Sequence, residues 1–196
     1  RQRDIRLPIL FRFSGILRHR LRTLHNAFTA AMTEYEFQGA YRPVYPIKVN
    51  QQRHVVTELI RAGRDLSLGL EVGSKPELVA ALALPDNQNA LLICNGYKDR
   101  QYLELAMMAQ RVGREVIVVI EKPSEVDLLL DISREQKLEP NIGFRLRLAG
   151  RGAGRWERSG GERAKFGLNV AEIVAAIKLL KKHGKQSNTY FINMGD

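Results

Sequence analysis

Lys48 stands in "RPVYPIKVNQQ", residues 42–52, between apolar residues and the amides that open a helix. A strand lysine is ordinarily a solvated edge residue. At the carboxyl end of a buried parallel strand it becomes a candidate nucleophile, because its free amine can condense with an aldehyde. Desolvation beside other cations would lower its pKa from the ordinary ~10.4 and release that amine. A merely structural lysine is the bland alternative. Other reactive side chains follow later apolar runs: Glu71 and Ser74 after "LSLGLEV", Asn95 and Lys98 after "ALLICN", Glu121 and Lys122 after "EVIVVIE". Arg145 and Arg147 alternate with Phe144, Leu146 and Leu148, so both arginines share one strand face. Facing inward they need anionic partners; facing outward they snorkel beneath helices. The inward placement falls to Arg147 before Arg145.

Several other chemistries find no support. His19, His25, His54 and His183 lack ligand spacing, and no Ser-His-Asp or Cys-His arrangement can be named. "GRGAGRWERSGGERAK" has too many arginines and no helix entry for a nucleotide-phosphate loop. It reads as an active-site or surface loop.

The elements that must position these residues alternate. "VYPIKV" reads as a buried strand. "QRHVVTELIRAG" is a helix with Val55, Val56, Leu59 and Ile60 on one face and Gly63 at its end. "LSLGLEV", "ALLICN", "EVIVVIE", "IGFRLRL" and "TYFINMG" are the later strands. Ser74, Asp99 and Asn169 are the helix caps between them, with Glu77 and Glu172 at the capping-box position. Strands recur roughly every 20 to 25 residues, which implies parallel pairing through right-handed crossovers. An open doubly wound sheet and a part of an eight-fold barrel both fit. The dinucleotide glycine fingerprint is missing after the first strand, which weakens the open sheet.

The expected class is therefore α/β: a partial (β/α)8 TIM-type barrel with about five to six βα units, where a whole one needs ~250 residues. Residues 1–40 form an N-terminal helical segment, and residues 41–196 the incomplete barrel. The helix starts at Ser14, with Ile16, Leu17, Leu24, Ala27, Phe28 and Ala31 on one face, and would flank or plug the barrel bottom.

Composition bounds the classes. Hydrophobic residues make up 44% of the 196, a globular composition. No run approaches the ~20 apolar residues of a membrane span, and no secretory signal is read. Cys94, in an apolar run, is expected to be buried, and a lone cysteine suits a reducing cytoplasm. The net charge of +10 raises a nucleic-acid reading. The arginines near each end carry no recognisable binding motif, so attraction for anionic substrates or cofactors is preferred. The chain opens on Arg1 and ends on "FINMGD", and both ends look cut.

"RPVYPIKVNQQRHVVTELIRAG", "GLEVGSKPELVAAL", "ICNGYKDRQYLELA" and "WERSGGERAKFGLN" resemble, in that order, the biosynthetic arginine decarboxylase family. The likeness runs from about Leu7 to Gln186. It implies a pyridoxal-phosphate enzyme with an alanine-racemase-like barrel, converting L-arginine to agmatine and carbon dioxide on the way to putrescine and spermidine. It implies that Lys48 carries pyridoxal phosphate, that Glu71 lines the cofactor, and that Arg147 is the strand arginine beneath it. Lys165 resembles a lysine near the active-site mouth. The resemblance also implies a homo-oligomer and a magnesium requirement, neither supported by a residue of this chain. Two departures stand out. The family's sixth strand reads like "HFHxGS", and Asn193 stands where its ring-stacking histidine is expected. The text from about Ser187 is unlike the family, as an altered end would be. The phosphate cradle, the carboxylate facing the pyridine nitrogen and the second domain are missing, so the isolated piece is expected to be inactive. A non-catalytic cofactor-binding or regulatory barrel, and a decarboxylase of another basic amino acid, are the rivals.

Overall fold

The computed structural model describes residues 7–84, 90–147 and 167–184, and the backbone of 189–192. Helix α1 (Ser14–Glu34) comes first, followed by strand β1 (Val44–Pro46) and a single 3-10 turn (Ile47–Val49). Then α2 (Arg53–Ala62), β2 (Gly69–Val72), α3 (Lys75–Leu82), β3 (Leu91–Cys94), α4 (Arg100–Arg111), β4 (Glu115–Ile120), α5 (Pro123–Gln136), β5 (Ile142–Arg145), α6 (Val170–Lys182) and β6 (Thr189–Ile192) alternate. The six strands form one sheet in the order β1-β2-β3-β4-β5-β6, every pair parallel. Sequential parallel order, with each helix crossing between neighbours, is the build of a partial (β/α) barrel.

Alternation along the strands sorts their side chains onto two faces. Leu70, Val72, Leu92, Cys94, Val116, Val118, Ile120, Ile142 and Phe144 point outward and form the main core with α2–α6. Cys94 is buried there as expected, and burial pushes its thiol up to about 12. The opposite, concave face carries a smaller cluster of Ile93, Ile117 and Val119, with Val44 and Leu91 against it. At the amino-terminal end Arg42, just before β1, bonds both oxygens of Glu115 at the start of β4 at 2.7 and 2.6 Å. Two strands separate β1 from β4 in the sheet, so this clasp requires the sheet to curl.

Two expectations need correction. The first strand is shorter than "VYPIKV": Pro46 ends it, and Ile47–Val49 wind into the 3-10 turn. Proline cannot donate to the ladder, which explains the early stop. Helix α1 starts at Ser14 as expected but buries Leu21, leaving Ile16, Leu24 and Phe28 exposed. Leu21 and Leu17 pack on Val55, Leu59 and Leu68, so α1 lies along the outer side of α2 and does not plug the concave face. Arg18–Glu58 and an Arg12–Gln52 hydrogen bond fasten the two.

Candidate functional site

All described strands run in one direction, so every strand-end residue gathers at one rim. Register then decides which side chains face the concave mouth. Glu71 lies between the outward Leu70 and Val72, stands level with Pro46 and Ile93, and is buried. Asn95 follows the outward Cys94, Glu121 the outward Ile120, and Arg145 the outward Phe144. Glu71, Asn95, Glu121 and Arg145 therefore share the concave side. Lys48 sits on the same rim, in the turn that closes β1.

Lys48 departs from expectation in one respect. The turn anchors Ile47 in the outer core and leaves Lys48 and Val49 exposed. The Lys48 side chain is exposed and has no hydrogen-bond or ion-pair partner among the described residues. The sequence pattern misled here because a 3-10 turn, unlike a strand, does not bury alternate residues.

The buried lysine of this rim is Lys98. Its Nζ donates to the Gly96 carbonyl at 2.5 Å and pairs with Glu125 at 3.3 Å. Both side chains are essentially inaccessible. Burial pushes the Lys98 ammonium below its ordinary value, while Glu125 and Glu121 oppose that shift. Glu125, in the first turn of α5, also accepts the backbone N–H groups of Lys98 and Glu121, each at 2.9 Å. Glu121 Oε1 accepts Gly96 N–H at 2.7 Å and lies 3.5 Å from Arg145 Nη1. Glu125 is absent from the sequence-derived candidates; the signal that could have found it is its place in the first turn, where a carboxylate can reach strand-end amides.

Arg147 does not follow Arg145 to Glu121. Its guanidinium lies 3.6 Å from Glu172 in the first turn of α6, and its backbone N–H donates to Leu168. Arg145 has Glu121 as an anionic partner on the concave side. Lys165, Asn193 and the loop from Ala149 to Lys165 lie outside the described residues.

This rim can receive a polar aldehyde. It offers an exposed lysine, a buried carboxylate at Glu71, and two buried acceptors without partners among the described residues, Asn95 Oδ1 and Glu121 Oε2. Such acceptors call for hydroxyl or N–H donors on whatever is bound. Pyridoxal phosphate has the aldehyde for the amine and ring substituents for the acceptors. Its phosphate finds no cradle among the described residues. No group of three or more His, Cys, Asp or Glu side chains is placed to hold a metal among them. No described helix is long and apolar enough to cross a membrane.

Comparison with known proteins agrees with this chemistry. A biosynthetic arginine decarboxylase of Rhodopirellula baltica is 52% identical over 179 residues, 91% of this chain and 27% of that protein. One from Thermosynechococcus vestitus is 50% identical, covering 93% of this chain and 29% of its own length. The crystal structure of the Campylobacter jejuni biosynthetic arginine decarboxylase superposes with a TM-score of 0.80 at 33% identity, over 92% of this chain and 29% of that one. A diaminopimelate decarboxylase from M. jannaschi shares the fold, with a TM-score of 0.61 at 21% identity, over 90% of this chain and 39% of its own. The chain spans less than a third of the length of the curated relatives it matches. The family model of the pyridoxal-dependent decarboxylases, pyridoxal binding domain, matches residues 19–188, and the chain belongs to that family.

Proposed function

We propose that this chain is the cofactor-binding part of a pyridoxal-phosphate-dependent arginine decarboxylase. The observation that carries the reading is an exposed lysine, Lys48, on the rim where β1 ends, within a chain about half identical to biosynthetic arginine decarboxylases. Pyridoxal phosphate, when bound, supplies the electron sink that makes loss of carbon dioxide from an amino acid feasible.

The chain's own residues do the rest. Lys48 Nζ would hold the cofactor by its aldehyde, and the solvent exposure of that side chain leaves room for the substrate amine to approach. Glu71 lines the cofactor from the neighbouring strand, where its burial keeps water away from the carboxylate. Arg147, on the loop after β5, is the strand arginine of the cofactor network. Its tie to Glu172 fixes it against the start of α6. Asn193 takes the sequence position of the family's ring-stacking histidine, as a cofactor-binding residue without an imidazole to stack, and Lys165 matches the family's lysine near the active-site mouth. L-Arginine is the substrate and agmatine the product. A homo-oligomer and a magnesium requirement belong to the same proposal for the whole protein.

Full-length protein carrying this chain, incubated with pyridoxal phosphate and carboxyl-labelled L-arginine, should release labelled carbon dioxide and leave agmatine. The Lys48→Ala variant should lose at least about 10²-fold in rate. Equal release by the two proteins, or release from L-lysine but not L-arginine, would contradict the reading.

A further inference from the structure

Four residues close a circuit at the mouth. Glu125 accepts the N–H of Glu121 and the N–H of Lys98. Lys98 Nζ returns to Glu125 Oε2 and to the Gly96 carbonyl. Gly96 N–H then donates to Glu121 Oε1. Three of these bonds join the loop after β3 to the β4–α5 segment, and one more lies within each, with the Lys98 ammonium paired to Glu125. Gly96 is held at φ +77°, and a Cβ there would lie 2.2 Å from the Gly73 carbonyl oxygen, so the β2–α3 loop is packed against the same circuit.

Buried polar atoms of a folded protein ordinarily have hydrogen-bond partners. Every oxygen of Glu125 is used. Glu121 Oε2 is not: it is buried, lacks a partner among the described residues, and belongs to a carboxylate on the concave side. Asn95 Oδ1, on the same side and equally buried, also lacks one. The circuit thus fixes one oxygen of Glu121 from behind and leaves the other for something in the mouth.

We propose that the buried Lys98–Glu125 pair is a positioning device for Glu121, and that Glu121 Oε2 accepts an N–H or O–H donor of the bound cofactor or substrate. Lys98 and Glu125 do not touch the ligand. They act by fixing the height and angle of the Glu121 carboxylate on the rim. Arg145, 3.5 Å from Oε1, steadies the same group from the β5 side. The inference rests on the cofactor-binding reading above and extends it to residues outside the Lys48, Glu71 and Arg147 set.

The test is a double-mutant cycle in the full-length protein. Wild type, Lys98→Met, Glu121→Gln and the double variant are compared for the pyridoxal phosphate dissociation constant, read from cofactor absorbance, for the KM of L-arginine, and for melting temperature. Lys98→Met should raise at least one of the two constants about tenfold in the wild-type background and leave it nearly unchanged in the Glu121→Gln background. Its effect on melting should be the same in both. The constant that moves identifies the donor: the cofactor if it is the dissociation constant, the substrate if it is KM. Equal rises in both backgrounds, or no rise, overturn the proposal, because a purely structural pair acts regardless of Glu121. Should Lys98→Met fail to fold, the charge-neutral pair Lys98→Met with Glu125→Gln replaces it in the same cycle. A wild-type protein that binds no pyridoxal phosphate removes the underlying reading. One that binds it while the cycle is additive removes this inference alone.

Discussion

Arg42 holds Glu115 by both oxygens at the end of the sheet opposite the mouth, and this lowers the Glu115 pKa below its ordinary 4.5. A carboxylate depressed in the folded state adds stability that is present above its unfolded value and is lost as pH falls through the folded one. The melting temperature of wild type should therefore fall more between pH 5 and pH 3 than that of Glu115→Gln; parallel falls would show that the clasp contributes nothing. Both side chains are partly exposed, so the effect should be small and should shrink in high salt. Lys98 is the opposite case. Removing one member of a buried pair leaves the other charge stranded, which costs about 3–5 kcal/mol. Chemical denaturation of Lys98→Met should show that loss, and a loss under 1 kcal/mol would mean that water reaches Glu125. The sequence placed both Lys48 and Lys98 at strand ends and favoured Lys48 as the amine, but could not show which of the two is buried. Solvent exposure depends on the turn that follows Pro46 and on Glu125, 27 residues beyond Lys98.

Caps and periodicity were the most legible elements. Ser74 accepts Glu77 N–H, Asp99 accepts Tyr102 N–H, and Asn169 with Glu172 forms a full capping box, all at the positions the spacing indicates. One detail differs: Glu77 reaches back to Gly73 N–H, so that box closes one residue early. Asn169→Ala should cost about 1 kcal/mol in denaturant unfolding. An unchanged midpoint would mean that Glu172 alone suffices. Gly96→Ala should be more severe, because the residue is held at positive φ against backbone and its N–H serves Glu121. What spacing could not give was partner choice. Helical periodicity assigned α1 a face containing Leu24 and Phe28, but the neighbour that decides burial is α2, which meets Leu17 and Leu21. Strand alternation put Arg145 and Arg147 on one face. That alternation continues past the end of β5, where Leu146 packs on the outer core and bridges Leu168, while Arg147 reaches Glu172 at the start of α6, a partner that spacing did not give.

At the scale of the molecule, β1 pairs with β2 alone and β6 with β5 alone among the described residues, so the sheet is open. Strand order and direction were legible from alternation; the degree of curl was not, because it depends on the Arg42–Glu115 clasp and on contacts across the concave face. Relatives more than three times as long set the expectation for activity. An open sheet leaves strand edges unpaired, which favours association. The 196-residue chain alone, supplied with pyridoxal phosphate and labelled L-arginine, should release no more carbon dioxide than its Lys48→Ala variant. Release above that background would show that the remaining length is dispensable. The central claim is that Lys48 holds the cofactor, and covalent trapping tests it most directly. Full-length protein loaded with pyridoxal phosphate, reduced with borohydride and digested, should yield one pyridoxyl-bearing peptide, modified at Lys48. Modification at Lys98, Lys122 or another lysine, with Lys48 unmodified, would contradict the account.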